Sequence, residues 1–185
     1  MKRYSTPAFV CGLAVVLTVS GAVPAMGQEE GGAASGYRVG DRAPVIEVND
    51  LDGQPHDLGQ YLGHQPVMLE FWATWCELCE QLLPRVRQAA AEFGDEVRFI
   101  GINIAVNQSP KRVRRYLEEH QPPFLTLYDN LGTSVRAFHV PTTSYVVMVD
   151  GGGIIRYVGV GGDQDLSAAL RVVVEGHAST MDGQP

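Results

Sequence analysis

The chain has 185 residues, 45% of them hydrophobic, and a formal net charge of −7 at pH 7. A folded part of roughly 150 residues forms one domain and buries about 70% of the surface that its unfolded chain exposes. The acidic balance argues against a nucleic-acid-binding protein, because phosphate contacts require a basic surface. One basic cluster lies at residues 111–115, where a solvated helix face is the simpler interpretation and a docking patch is the alternative.

The first residues predict a secretory signal peptide. Lys2 and Arg3 supply a positive start, residues 8–23 are apolar or small without a charge, and small residues lead up to a cleavage point after Gly27. An uncleaved membrane anchor is the alternative, because the apolar stretch approaches the length that spans a bilayer. In either case we expect the folded part to be exported. Loss of Lys2 and Arg3 changes the net charge from −7 to −9, since all 21 acidic residues follow the signal.

Apolar periodicity then predicts strands that alternate with helices. Residues 67–72 form a mostly apolar run, as in a strand covered on both faces, and apolar residues three and four apart in 76–93 predict a helix with a kink at Pro84. Ser109 and Pro110 are typical of a capped helix start, and residues 150–153 of a hairpin turn. In chain order the prediction is strand 45–48, a short element at 57–62, strand 67–72, helix 76–93, strand 97–104, helix 110–120, strand 124–128, helix 134–138, strand 144–149, strand 154–158 and helix 163–175. This order indicates an α/β fold with a central mixed sheet flanked by helices.

The whole chain divides into four predicted parts. These are a signal peptide at 1–27, a flexible leader at 28–38, one domain at 39–176 and a tail at 177–185. The chemistry is therefore expected within a single domain.

Two cysteines, Cys76 and Cys79, stand where the buried strand is predicted to turn into a helix. The unpaired N–H groups and partial positive charge of the helix N-terminus favour the thiolate of Cys76. Cys79 lies one turn further and can attack a mixed disulfide formed on Cys76, which is the arrangement of thiol–disulfide exchange. Half of a zinc site and a structural staple are the alternatives. Zinc requires two further Cys or His ligands, and the only other cysteine, Cys11, lies in the signal segment.

Three stretches carry a resemblance to a known family. They are Phe-Trp-Ala-Thr-Trp-Cys-Glu-Leu-Cys at residues 71–79, Val-Pro-Thr-Thr at 140–143, and the opening segment at 39–53. Together they resemble the thioredoxin superfamily, and more narrowly its exported TlpA/ResA-like branch. The resemblance covers about residues 39–175 and implies a thioredoxin fold with an N-terminal extension. The additional helix and strand between Asn107 and Asp129 are similar to the central insertion of that branch.

The resemblance also implies the roles of the site residues. Cys76 would be the exposed nucleophile and Cys79 the resolving thiol of a redox-active disulfide. Pro141 would be a cis-proline that faces this disulfide and leaves neighbouring backbone groups free for a partner strand. The substrate-binding surface is then expected at Trp75, Glu77, Leu78, Val140, Pro141 and Thr142.

Two carboxylates near the cysteines have different predicted roles. Glu70 takes the place where thioredoxins carry a buried acid beneath the second cysteine. A desolvated carboxyl there would have a raised pKa and would take the Cys79 proton. An outward-facing Glu70, or one that only bonds a neighbour, is the alternative. Glu77 is expected to be exposed, to raise the pKa of Cys76 and to favour a reductant over an oxidant.

The prediction is an exported thiol–disulfide oxidoreductase at the periplasm or the extracytoplasmic face of the cell membrane. It reduces or exchanges disulfides of exported proteins, with cytochrome c maturation as a candidate role from the resemblance. Its partners are disulfide-containing exported proteins and a membrane thiol-electron donor, with membrane contact only through an uncleaved signal. No cofactor besides the redox-active disulfide and no metal is predicted.

Two rival functions remain open on the sequence. A peroxiredoxin-like thiol peroxidase shares the fold, but residues 66–76 lack the Pro-x-x-x-Thr-x-x-Cys pattern of a peroxidatic cysteine. A copper metallochaperone would use Cys76, Cys79 and His139 as its ligands. For His139 a surface position or an effect on a thiol pKa is the simpler interpretation.

Overall fold

The computed structural model describes residues 37–181. The predicted signal peptide and nearly all of the predicted leader therefore lie outside the described residues. The strands are β1 Glu47–Asn49, β2 Pro55–Asp57, β3 Val67–Trp72, β4 Arg98–Asn103, β5 Leu125–Tyr128, β6 Tyr145–Val149 and β7 Ile155–Val160. The helices are α1 Glu77–Phe93, α2 Pro110–His120, α3 Thr133–Ala137 and α4 Leu166–Met181, with a short 3-10 helix at Leu58–Gln60.

Five strands form a mixed central sheet in the order β5-β4-β3-β6-β7. β3 pairs in parallel with β4, and β4 with β5, while β6 runs antiparallel to both β3 and β7. β1 and β2 form a separate antiparallel pair. The structure confirms the predicted α/β class and the mixed sheet. It also confirms the additional helix and strand, α2 and β5, between β4 and α3.

Strand β3 lies in the middle of the central sheet, and every one of its residues is buried. Successive side chains of a strand point to opposite faces of the sheet. Val67, Leu69 and Phe71 belong to one core cluster, whereas Met68 packs with α1 residues in a second cluster and Trp72 packs beside both cysteines in a third. Glu70 lies between Met68 and Trp72 on the face opposite to Leu69 and is buried, so the alternative of an outward-facing Glu70 is excluded.

Most predicted element boundaries differ from the structure by one or two residues, and strand β2 was not predicted. The first strand was expected at 45–48 and is found at Glu47–Asn49. The last helix begins later, at Leu166, because Asp165 accepts a hydrogen bond from the Ala168 amide and so caps it. It ends at Met181 and thus includes the start of the predicted tail. No helix within residues 37–181 combines the length and the apolar character needed to cross a membrane.

Candidate active site

Cys76 and Cys79 lie at the junction of β3 and α1, as the sequence predicts. Cys76 is the N-cap residue of α1, with extended backbone angles, and Cys79 lies in the first turn. The two sulfurs form a disulfide with Cα atoms 5.2 Å apart. The Cys79 amide donates a hydrogen bond of 3.0 Å to Cys76 Sγ. A sulfur that already accepts an N–H at a helix N-terminus is well placed to carry a negative charge after reduction.

The predicted exposure of Cys76 is wrong for this oxidised form. Cys76 is only 4% exposed and Cys79 only 3%. The reason is the closed disulfide itself: Cys76 Sγ is turned towards Cys79 and its amide, within a cluster that includes Trp72 and Tyr116. The neighbours form the outer surface instead, since Trp75 is 46% and Leu78 45% exposed and Glu77 is exposed as well. A partner must therefore reach the disulfide past these side chains.

The turn before Cys76 is held by two side-chain amides that the sequence analysis did not identify. Gln108 Oε1 accepts a hydrogen bond of 2.8 Å from the Thr74 amide. Asn103, which is fully buried at the end of β4, accepts a 3.0 Å bond from Gln108 Nε2 and a 3.1 Å bond from the Ala105 amide. Trp75 Nε1 donates to the Val106 carbonyl at 2.8 Å. The β4–α2 loop thus fixes the active-site turn from one side.

Glu70 is 3% exposed, and burial raises the pKa of its carboxyl from 4.5 to about 8. No cation among the described residues forms an ion pair with it. Its strand neighbours in register are Gly101 on β4 and Val146 on β6. The pKa of Tyr116 is raised to about 12, mainly by burial and then by the charges of Glu80 and Glu70. A buried carboxyl therefore lies on the sheet face that α1 covers. On β3 it is two residues before Trp72, which packs with the two cysteines.

The loop before β6 carries the predicted Val140, Pro141 and Thr142. Tyr145, the first residue of β6, pairs with Phe71 near the end of β3, so this loop lies at the same end of the sheet as the cysteines. Val140 is half-buried, whereas Pro141 and Thr142 are exposed.

The predicted cis bond before Pro141 is wrong, because residues 37–181 contain no cis peptide bond. A trans bond before proline is favoured by about 0.5–1 kcal/mol. His139 and Ser144, on either side of this segment, have positive φ of 47° and 56°.

Gln164 is a second support that the sequence analysis missed. It is 7% exposed, and its Nε2 donates to the Ser144 carbonyl at 3.2 Å and to the Gly161 carbonyl at 2.7 Å. The Tyr157 hydroxyl donates to its Oε1 at 3.1 Å. These bonds fix the end of the loop before β6 to the segment that follows β7. Gln164 lies between Asp163 and Asp165. A single glutamine in such a polar stretch has no local pattern that predicts this role.

His139 does not join the cysteines. It is exposed, and its ring lies 5.5 Å from the Tyr37 ring between centroids. Among the described residues, no group of three or more His, Cys, Asp or Glu side chains is arranged to hold a metal ion. The copper site proposed for Cys76, Cys79 and His139 is thus not assembled.

A sheet of this topology with a cysteine pair at the N-terminus of α1 defines the thioredoxin fold and a thiol–disulfide redox site. Residues 39–158 match the AhpC/TSA family, and the chain belongs to that family. Within it the chain lies in the thioredoxin-like, thiol–disulfide oxidoreductase branch.

Three relatives support this assignment. The chain is 30% identical to the thioredoxin-like protein YneN of Bacillus subtilis over 68% of this chain and 74% of that protein. It is 30% identical to the thiol:disulfide interchange protein DsbE of Yersinia pestis over 64% of this chain and 62% of that protein. The structure superposes on dsbF of MTB, solved in mixed oxidized and reduced forms, with a TM-score of 0.61, 27% identity, and coverage of 71% of this chain and 98% of the other.

Proposed function

We propose that the protein reduces disulfides in exported proteins by thiol–disulfide exchange at Cys76 and Cys79. The observation that carries the proposal is the position of Cys76 Sγ at the N-cap of α1. This sulfur forms the disulfide with Cys79 Sγ and accepts a hydrogen bond from the Cys79 amide. The names of several relatives, such as thiol:disulfide interchange protein and thiol-disulfide oxidoreductase, agree with this chemistry.

The reaction begins with the reduced pair. The Cys76 thiolate attacks one sulfur of the substrate disulfide, a new S–S bond forms, and the other substrate sulfur leaves as a thiolate that takes up a proton. Cys79 then loses its proton and attacks Cys76 Sγ, which closes the internal disulfide and releases the second substrate sulfur. Two electrons pass from the protein to the substrate. A membrane thiol-electron donor restores the dithiol by the same exchange in reverse.

Glu70 is the proposed acceptor of the Cys79 proton. Its buried carboxyl has a pKa of about 8, close to that of a thiol, so a proton passes between the two groups at a small cost in free energy. The rim residues Trp75, Glu77 and Leu78 and the loop residues Val140, Pro141 and Thr142 form the proposed substrate surface on two sides of the disulfide.

The direction of electron flow follows from the charges around Cys76. Glu77 and Glu80 lie in the first turn of α1, and negative charge near a thiolate makes it less stable. We therefore expect a reduction potential near that of thioredoxin, about −270 mV, and a measured value near about −120 mV would contradict a reducing role. The proposed site of action is the periplasm or the extracytoplasmic face of the membrane, because the N-terminal segment has the pattern of an export signal.

The decisive experiment uses the two cysteines separately. Cys76→Ser should abolish the reduction of insulin disulfides, whereas Cys79→Ser should accumulate mixed disulfides that dithiothreitol releases. Full turnover by Cys76→Ser would refute the proposed function.

A thiol peroxidase is the second candidate, because peroxiredoxins share this fold and the AhpC/TSA match covers residues 39–158. Rapid consumption of hydrogen peroxide by the reduced protein, with little insulin reduction, would favour this candidate.

A further inference from the structure

The first half of α2 carries four cations on its outer face. Lys111, Arg112, Arg114 and Arg115 are all exposed, while Val113 and Tyr116 on the inner face are buried. The first turn of α2 contains no acidic residue. This face is therefore positively charged on a chain whose net charge is −7.

The position of these cations is unfavourable for the helix. A helix N-terminus carries partial positive charge, so cations there reduce helix stability by about 0.3–1 kcal/mol each, whereas carboxylates stabilise it. Arg114 is compensated by Asp52 at 2.6 Å, and Arg115 lies 3.8 Å from Glu119. Within residues 37–181 no carboxylate forms an ion pair with Lys111 or Arg112. The charges of Lys111 and Arg112 therefore lack the ion pairs that Arg114 and Arg115 form within the described residues.

The cationic face is continuous with the active-site turn. A groove of about 180 Å³ lies between the start of α1 and α2, and its walls include Thr74, Glu80, Arg112 and Arg115. Thr74 is two residues before Cys76, and its amide is held by Gln108. The remaining walls are Tyr116, Glu119 and His120. Arg115 also borders a second hollow of about 420 Å³ on the outer side, together with Lys111, Arg114 and Glu118.

We propose that Lys111, Arg112 and Arg115 dock a carboxylate-rich segment of the substrate protein next to its disulfide. This inference rests on the proposed function and names the chemistry of its substrates. Guanidinium groups bind carboxylates through paired hydrogen bonds, so two arginines on a groove wall suit aspartate and glutamate side chains. The acidic remainder of the protein repels such a partner, and the cationic face therefore determines where an acidic partner approaches. Charge complementarity of this kind raises the association rate, and salt weakens it.

The test compares two synthetic peptides that share one disulfide loop and differ only in flanking residues, aspartate and glutamate in one and lysine in the other. At low salt the reduced protein should show a kcat/KM about tenfold or more higher for the acidic peptide. In high salt the preference should fall towards one. The double variant Lys111→Glu/Arg112→Glu should reverse the preference without loss of folding, because carboxylates at a helix N-terminus are stabilising.

Arg42→Glu is the matched control. Arg42 is exposed and donates a hydrogen bond to the Gly152 carbonyl in the β6–β7 hairpin, at the end of the sheet away from the cysteines. The same reversal of charge there should leave the peptide preference intact.

Three results would overturn the docking proposal. They are equal rates for the two peptides, an unchanged preference in the double variant, and binding to anionic phosphatidylglycerol vesicles through Lys111 and Arg112 without discrimination between peptides. Failure to reduce either peptide would instead refute the proposed function, so the two ideas fail separately.

Discussion

Replacement of Glu70 by glutamine should remove a pH-dependent loss of stability. The unfolded carboxyl has the ordinary pKa of 4.5, and burial raises the folded value to about 8. Below about pH 4.5 both states are protonated and Glu70 has no electrostatic cost. Between the two values the unfolded state releases the proton and the folded state keeps it, so the free energy of unfolding falls as pH rises. The rise from 4.5 to about 8 corresponds to about 5 kcal/mol at the upper end, since one pH unit is about 1.4 kcal/mol.

The assay is urea unfolding of the oxidised wild type and Glu70→Gln at a series of values from about pH 5 to pH 9. The closed disulfide removes the titration of both cysteines. Asp50 and Asp150 have lowered pKa values, so they stay ionised across this range. Tyr116, with a pKa of about 12, stays neutral. The difference between the two proteins therefore isolates Glu70.

The difference should grow in favour of Glu70→Gln by about 3 kcal/mol between pH 5 and pH 7 and level off above pH 8. Glu77→Gln makes the same chemical change at an exposed position and should not reproduce this slope. A constant difference between wild type and Glu70→Gln across the range would show that Glu70 is not held protonated by burial.

The same substitution tests the proposed proton transfer. In single-turnover experiments the wild type should resolve its mixed disulfide faster as pH rises through about 8, and Glu70→Gln should be slower by about 100-fold, the usual contribution of a general base. Equal resolution rates would leave Glu70 as a buried residue without a catalytic role.

Two further substitutions test the supports of the site. Gln108→Ala leaves the Thr74 amide without its acceptor, so it should lower the free energy of unfolding in urea by about 1–3 kcal/mol and speed hydrogen exchange at that amide. Gln60→Ala, at an exposed position, is the control. Unchanged hydrogen exchange at Thr74 in Gln108→Ala would contradict this role. The buried Asp129 carboxylate accepts hydrogen bonds from three amides at the start of α3 and from the Ser134 hydroxyl. Asp129→Ala should therefore lower the Tm and reduce the free energy of unfolding by about 2 kcal/mol. Full stability of the variant would refute this cap.

The elements that sequence alone predicts well are those with strong local signals. Strand β3 has the predicted bounds because a short, mostly apolar run between Pro66 and the next helix signal favours a buried strand. Helix α2 begins at Pro110 and ends at His120 as expected, since Ser109 caps it and prolines follow. The cysteine pair and the buried Glu70 were also found, because both break the local pattern in a way that needs a chemical reason.

The remaining features depend on contacts between distant parts of the chain. Gln108 and Gln164 hold the two loops at the site, yet an isolated glutamine in a loop has no periodicity that reveals its partner. Exposure of Cys76 is set by the closed disulfide and its surroundings, and the bond before Pro141 is trans although the family motif implies a cis bond. Neither is a property of the residue type alone.

The segment between β4 and α2 links the redox site to the proposed docking surface. Gln108 fixes the Thr74 amide, and the next residue, Ser109, caps α2 through the Arg112 amide. A shift of this loop would therefore move the active-site turn and the cationic face together. Because both depend on the same short piece of backbone, the proposed carboxylate segment, once bound at Arg112, would be held at a fixed distance from the disulfide. Such a constraint increases the effective concentration of a tethered substrate disulfide without any new contact at the sulfurs.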